Sequence, residues 1–127
     1  MGIMSVSHVS SNIYELSAAT LLQNTPISWT MITTSGGVPA ISKSINTSSI
    51  ADRGTGQLTI NFAADSLDSD YTLTGGGRGT DNATPCFIGQ QSTSLKSASS
   101  FDYTTISDDN VFTDFPRHSV ECHGDFA

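Results

Sequence analysis

Apolar and polar residues alternate with a period of two along most of the chain beyond Pro26. The clearest case is Gln57 to Phe62, where Leu58, Ile60 and Phe62 interleave with Gln57, Thr59 and Asn61. That period turns one face of an extended segment toward a core and the other toward solvent. Just upstream, Asp52-Arg53-Gly54-Thr55-Gly56 supplies turn chemistry, because Gly tolerates positive φ and Asp hydrogen-bonds its own backbone. Ile50 ends the apolar pattern on the other side of this turn. Asn46 to Ala64 therefore reads as strand, tight turn and strand.

The same pattern continues in both directions. Ser28 to Thr33 is a strand with Trp29, Met31 and Thr33 on one face, and Trp29 is assigned to the core. Ser35-Gly36-Gly37 is a turn, and Val38 to Ile45 a second strand, with Pro39 marking an edge or a bulge. Asp65 to Asp70 is an acidic turn leading to a strand from Tyr71 to Thr74. Gly75-Gly76-Gly77-Arg78-Gly79 reads as a flexible loop. Pro85 to Gly89 is a short apolar strand, Ser92 to Ser100 a strand or irregular edge, and Phe101 to Ile106 a weakly alternating strand. Ser107 to Pro116 is a loop or protrusion. In Arg117 to Phe126, Val120, Cys122, Gly124 and Phe126 alternate with Ser119, Glu121, His123 and Asp125. Roughly six to nine short strands with frequent turn signals predict an all-β fold, a β-sandwich or jelly-roll-like domain.

Residues 1–26 are compositionally distinct. Ile13, Tyr14, Leu16, Leu21 and Leu22 mix with Glu15, Ala18 and Ala19, the only stretch with a helical leaning, and Pro26 closes it. We read this segment as an N-terminal attachment arm whose apolar side chains dock on a neighbouring subunit or partner. An extra edge strand on the same domain is the alternative. The organisation expected is thus an arm at 1–26 and one β-domain at 27–127, with no internal repeat.

The wording of the central hairpin resembles a β-rich domain of tail-fibre and head-fibre type virion proteins of tailed bacteriophages. The residues that carry the resemblance are Trp29, Asn46, Ser48, Ser49, Ile50, Asp52, Gly54, Thr55, Gly56, Thr59, Asn61, Phe62 and Tyr71. It covers Ile27 to Gly77 well and the C-terminal third poorly. It implies a non-enzymatic structural protein: a fibre, knob or capsid-decoration protein, commonly homotrimeric, bound to other virion proteins of the capsid or tail and in contact with the host surface. Its implied location is the virion, assembled in the bacterial cytoplasm. The chain lacks the long shaft of a full fibre, which points to a small accessory protein. A carbohydrate-binding module recognising host surface glycans is the reading from a different class.

Composition narrows the partners. The chain has 127 residues, one domain's worth, and a formal net charge of −7. Only 13% of residues are charged while Ser and Thr number 36, a balance that suits pleated structure and close subunit packing. The cations are Lys43, Arg53, Arg78, Lys96 and Arg117, scattered along the sequence, so neither nucleic acid nor an anionic membrane is expected as a partner. No apolar window is long enough for a membrane span, and the N-terminus lacks the basic region and apolar core of a secretory signal. Cys86 and Cys122 are too few for a disulfide scaffold, and the reducing compartment implied by the resemblance favours free thiols.

Candidate chemistry is sparse, and neither a catalytic residue nor a cofactor or metal is assigned. The Asp65–Asp70 stretch lacks the Gly and the bidentate Glu of a calcium loop, and reads as a solvated turn. The glycine run lacks the Gly-Lys-Ser/Thr ending of a phosphate loop, but Arg78 within it is a candidate contact residue. Glu121, His123 and Asp125 share one strand face, where a polar outward surface outweighs a metal site. Paired carboxylates across a cleft and a G-x-S-x-G nucleophile are both unsupported. Phe112 and Phe115 flank an acidic loop and are candidates for a partner surface or a subunit interface.

Overall fold

The computed structural model describes residues 3–4, 16–17, 25–79, 85–91 and 94–127. The described strands are β1 (Ile3–Met4), β2 (Leu16–Ser17), β3 (Ser28–Ser35), β4 (Val38–Ile45), β5 (Thr47–Gly54), β6 (Gln57–Phe62), β7 (Thr72–Arg78), β8 (Pro85–Gly89), β9 (Ser100–Ile106) and β10 (Arg117–His123). β1 and β2 pair only with each other. The remaining eight form one antiparallel sheet in the order β4-β3-β10-β7-β8-β9-β6-β5, so the all-β expectation holds.

The sheet folds back on itself. β8 is the strand that turns the corner: Pro85 and Cys86 pair with β7, whereas Phe87, Ile88 and Gly89 pair with β9. At the opposite end the two outermost strands, β4 and β5, are joined by the single residue Asn46. Asn46 adopts φ 55°, a left-handed conformation that Asn tolerates better than most residues. Its Nδ2 donates to the carbonyls of Ile27 and Ala64, both at 2.9 Å, and its Oδ1 accepts from the Ala64 N–H at 2.6 Å. A hydrogen bond of 2.6 Å between the hydroxyls of Thr30 and Thr47 ties β3 to β5 across the same corner. The result is an eight-stranded, nearly closed sandwich.

Alternation along the strands builds its interior. β6 contributes Leu58, Ile60 and Phe62, β9 Phe101 and Tyr103, and β10 Val120 and Cys122, all buried, with Ile27, Ile32 and Tyr71 completing the cluster. Phe62 lies 5.8 Å from the Tyr71 ring and 5.7 Å from Phe101, centroid to centroid. The Tyr71 hydroxyl donates to the Ser97 and Ser100 carbonyls at 2.8 and 2.9 Å, so this aromatic also satisfies its polar end.

Three sequence expectations need correction. Trp29 does not enter the core. The buried positions of β3 are Ser28, Thr30 and Ile32, so Trp29, Met31 and Thr33 face outward. Helical or strand period alone cannot tell which face of an alternating strand is inward when the small residues Ser and Thr occupy the other. Second, Asp52, Arg53 and Gly54 belong to β5, and the turn is confined to Thr55-Gly56. The Asp52 carboxylate does accept from the Gly54 N–H, at 3.0 Å, but within a bulged strand end. Third, the glycine run is strand. β7 continues through Gly75, Gly76, Gly77 and Arg78 in unbroken register with β10. A Cβ at Gly77 would come within 2.6 Å of His118 Cβ and 2.9 Å of Cys86 Sγ, and one at Gly75 would collide with the Ser119 carbonyl. These glycines therefore serve close approach of backbone and side chains, one of the established uses of Gly inside a strand.

Candidate functional site

The residues that carry the family resemblance resolve into a structural device. Besides Asn46 at the corner, Ser48 Oγ donates to the Asn61 and Phe62 carbonyls, and Asn61 Nδ2 donates to Ser49 Oγ at 3.0 Å. Thr59 Oγ1 donates to the Asp102 carboxylate at 2.6 Å. Gly56, at φ 63°, donates its N–H to Asp114 at 2.7 Å, and a Cβ there would lie 2.6 Å from the Thr105 carbonyl. The motif thus fastens the β5–β6 hairpin to β9 and to the loop before β10.

One polar group sits deep in the fold. The Tyr103 hydroxyl and His118 Nε2 are 2.7 Å apart, both residues being almost fully buried. Burial pushes the His118 imidazole down to about 4, against a smaller opposing pull from the Asp114 carboxylate. His118 is therefore neutral at pH 7, and among the described residues Nδ1 has no hydrogen-bond partner. Cys86 and Cys122 are free and buried, their thiols pushed up to about 11 and about 12 by desolvation. Thiols so held are poor nucleophiles, since the thiolate is the reactive form.

Among the described residues the exposed surface offers four features. On the outer face of β4-β3-β10-β7, Trp29 is half-buried, with Ile45 on one cross-strand side and Glu121 on the other. Glu121 in turn meets His123 at 3.0 Å. Edge strand β4 carries Val38, Ile41 and Ile45 at 67%, 36% and 55% exposure, an apolar edge interrupted by Pro39 and Lys43. Two shallow clefts open elsewhere. One, of about 330 Å³, runs along Tyr71, Leu73, Ile88 and Gln90. Its cation is spoken for: Lys96 Nζ donates to the Tyr71 carbonyl at 2.8 Å and lies 5.0 Å from the ring centroid. The other, of about 420 Å³, is lined by Arg78, Gly79, Pro116 and Arg117.

Of the residues singled out in the sequence, Arg78 is exposed at the end of β7 and lines the second cleft. Phe115 is only 1% exposed and is removed as a surface contact; Phe112 is half-buried and bridges to Ile106. The loop from Ser107 folds back on β9, with Thr105 Oγ1 donating to the Thr113 carbonyl at 2.6 Å and the Thr113 N–H donating to the Thr105 carbonyl at 3.1 Å. Asp65, Asp68 and Asp70 are exposed, in a turn closed by an N–H of Asp70 on the Asp68 carboxylate. Among the described residues no three His, Cys, Asp or Glu side chains converge as metal ligands. Of the arm residues, Leu16 lies in β2; Ile13, Tyr14, Leu21 and Leu22 lie outside the described residues. Arg117 was not singled out by sequence reasoning, and no local signal marks it: only the β7–β10 register brings it beside Arg78. Comparison with protein-family models, with curated proteins and with solved structures finds no match.

Proposed function

We propose that this chain is a non-enzymatic structural protein of a tailed-phage virion: a short fibre, knob or decoration protein that assembles as a homotrimer on a larger capsid or tail component. The observation that carries the reading, beside the resemblance across Ile27 to Gly77, is the apolar edge strand β4. Val38, Ile41 and Ile45 expose large side chains where the sheet ends. Such an edge invites a second chain, and Pro39 and Lys43 are the residues that blunt open-ended strand addition. The combination suits a closed oligomer packed through side chains. Light scattering on the full chain at micromolar concentration reads this directly. A trimer that Ile41→Lys converts to folded monomer supports the proposal; a wild-type monomer refutes it. Deleting residues 2–25 tests the arm: the expected result is a folded β-domain that no longer loads onto particles. Undiminished loading would remove the arm as anchor.

A carbohydrate-binding role is favoured by one separate observation, the half-buried Trp29 on an open sheet face beside Glu121. An indole face flanked by a carboxylate is the kind of platform on which a sugar ring stacks. Glycan-array binding that disappears in Trp29→Ala would support it.

A further inference from the structure

We propose that the cleft between β7 and β8 receives a short extended segment of a partner protein, whose main chain bonds to both walls and whose acidic side chain meets Lys96. The two strands pair at Gly77–Cys86 and Arg78–Pro85. From Phe87 onward β8 pairs with β9 instead, so the ladder that would continue through Gly75 and Ile88 is not made. The direction of the main-chain groups follows from the bonds on the far sides. The Cys122 carbonyl accepts from the Ile27 N–H, so Cys122 faces β3, and the Ser119 carbonyl points at β7, where a Cβ on Gly75 would strike it. Facing alternates residue by residue in an antiparallel pair. Leu73, opposite Cys122, and Gly75, opposite Val120, therefore turn their N–H and C=O groups away from β10, toward β8. On the other wall Thr105 donates its N–H to Gly56 and accepts from Thr113, so it faces away from β8. Ile88, opposite Thr105, accordingly points its N–H and C=O at β7. Among the described residues no strand lies between these two walls.

Side chains stand in for the missing strand at both ladder ends. Lys96 Nζ donates to the Tyr71 carbonyl at 2.8 Å, two residues before Leu73 on the same edge. Gln90 Nε2 donates at 2.8 Å to the Asp102 carbonyl, just past the last β8–β9 pair at Gly89–Thr104. A lysine on a sheet edge is a familiar means of blocking strand addition where no strand belongs. Here it uses one of its three N–H groups and keeps its charge beside the cleft. The floor is apolar, because Leu73 and Ile88 pack against the core from the two sides. At ~3.3 Å rise, ~4.8 Å strand spacing and ~10 Å depth an extended residue fills roughly 160 Å³, so the cleft of about 330 Å³ holds about two residues. Main-chain donors and acceptors on both walls match another main chain, the mode of recognition by strand addition. The cleft offers no aromatic platform for a sugar, since the Tyr71 ring is buried and the Lys96 ammonium lies 5.0 Å over it. β3 and β10 separate this cleft from the β4 edge, so the inference stands apart from the oligomer proposed above.

The test uses the full-length protein with two blocked peptides, acetyl-Ile-Thr-Ile-Glu-amide and acetyl-Ile-Thr-Ile-Lys-amide, read by amide NMR and hydrogen exchange. In the peptide-free protein the Leu73 amide should exchange at least about tenfold faster than that of Thr74, which bonds to β10. Either peptide should give saturable shifts centred on Leu73, Ile88 and Lys96 and should slow exchange at Leu73 and Ile88. The glutamate peptide should bind about two- to fivefold more tightly, and Lys96→Glu should invert that order. Arg117→Gln, in the other cleft, should change neither affinity. A Leu73 amide already as slow as Thr74 without peptide would mean that the edge is paired, and overturns the proposal. So does the absence of saturable shifts, saturation without protection of Leu73 and Ile88, or shifts given by methyl glucoside and by neither peptide. Should Lys96→Glu fail to fold, Lys96→Gln, which retains a donor for the Tyr71 carbonyl, should equalise the two peptides; a preference left intact refutes the acidic match.

Discussion

Acidification should unload stability through one residue, His118. The folded protein keeps its imidazole neutral down to about pH 4, because burial beside Tyr103 removes the hydration a cation needs. In the unfolded chain the same ring takes up its proton near 6.5. Between these values the unfolded state binds more protons than the folded one, so stability falls as pH falls. The contribution is fully present above about 6.5, declines through the window, and is gone below about 4. The gap between 6.5 and about 4, at about 1.36 kcal/mol per pH unit, amounts to roughly 3 kcal/mol. Of the groups around the ring, the Asp114 carboxylate opposes the effect and the Tyr103 hydroxyl stays protonated throughout. Urea unfolding followed by fluorescence of Trp29, the single tryptophan, measures the loss at steps between about pH 8 and about pH 4. His118→Gln, which retains a polar atom for Tyr103 but has no titratable ring, should flatten the curve by most of that amount. Carboxylates titrating elsewhere affect both proteins alike and cancel in the difference. Parallel curves for the two proteins, or an NMR titration that places the folded His118 near 6.5, would refute the reasoning.

Three further outcomes are expected. Phe62→Ala should cost about 3–5 kcal/mol, because the ring is 6% exposed and wedged between Tyr71 and Phe101; a loss under about 1 kcal/mol would place it outside the core. Gly76→Ala should be nearly neutral, since a Cβ there meets nothing within 4 Å, whereas Gly77→Ala should cost at least about 1–3 kcal/mol by overpacking against His118 and Cys86; equal effects in a denaturation series would mean the run is the loose loop its composition suggests. Trp29→Ala in the isolated protein should cost less than about 2 kcal/mol, well below the value for a core tryptophan, and Trp29 emission should be quenched by acrylamide in the folded state; a blue-shifted, unquenchable signal would put the indole inside.

Strand existence was written locally. The alternation of Leu58, Ile60 and Phe62, the Gly36-Gly37 turn and the bounds of Val38–Ile45 and Pro85–Gly89 all follow from a period of two and from turn chemistry, which are properties of neighbouring residues. Pro39 allowed either an edge or a bulge for β4, and the strand order decides for the edge. Which face of β3 turns inward was not written locally, because Ser28 and Thr30 are small enough to pack under the opposite sheet and leave Trp29 outside; that choice is made by the partner surface, not by the strand. The glycine run followed the same logic. Locally Gly75-Gly76-Gly77 is loop material, and only the approach of Ser119, His118 and Cys86 from other strands makes it a strand that must lack side chains. Burial of Phe115 and the meeting of Arg78 with Arg117 likewise depend on the register between segments far apart in sequence. Hydrophobic period and turn propensity act over a few residues, whereas register, facing and convergence are settled by long-range pairing, which no short window of the chain encodes.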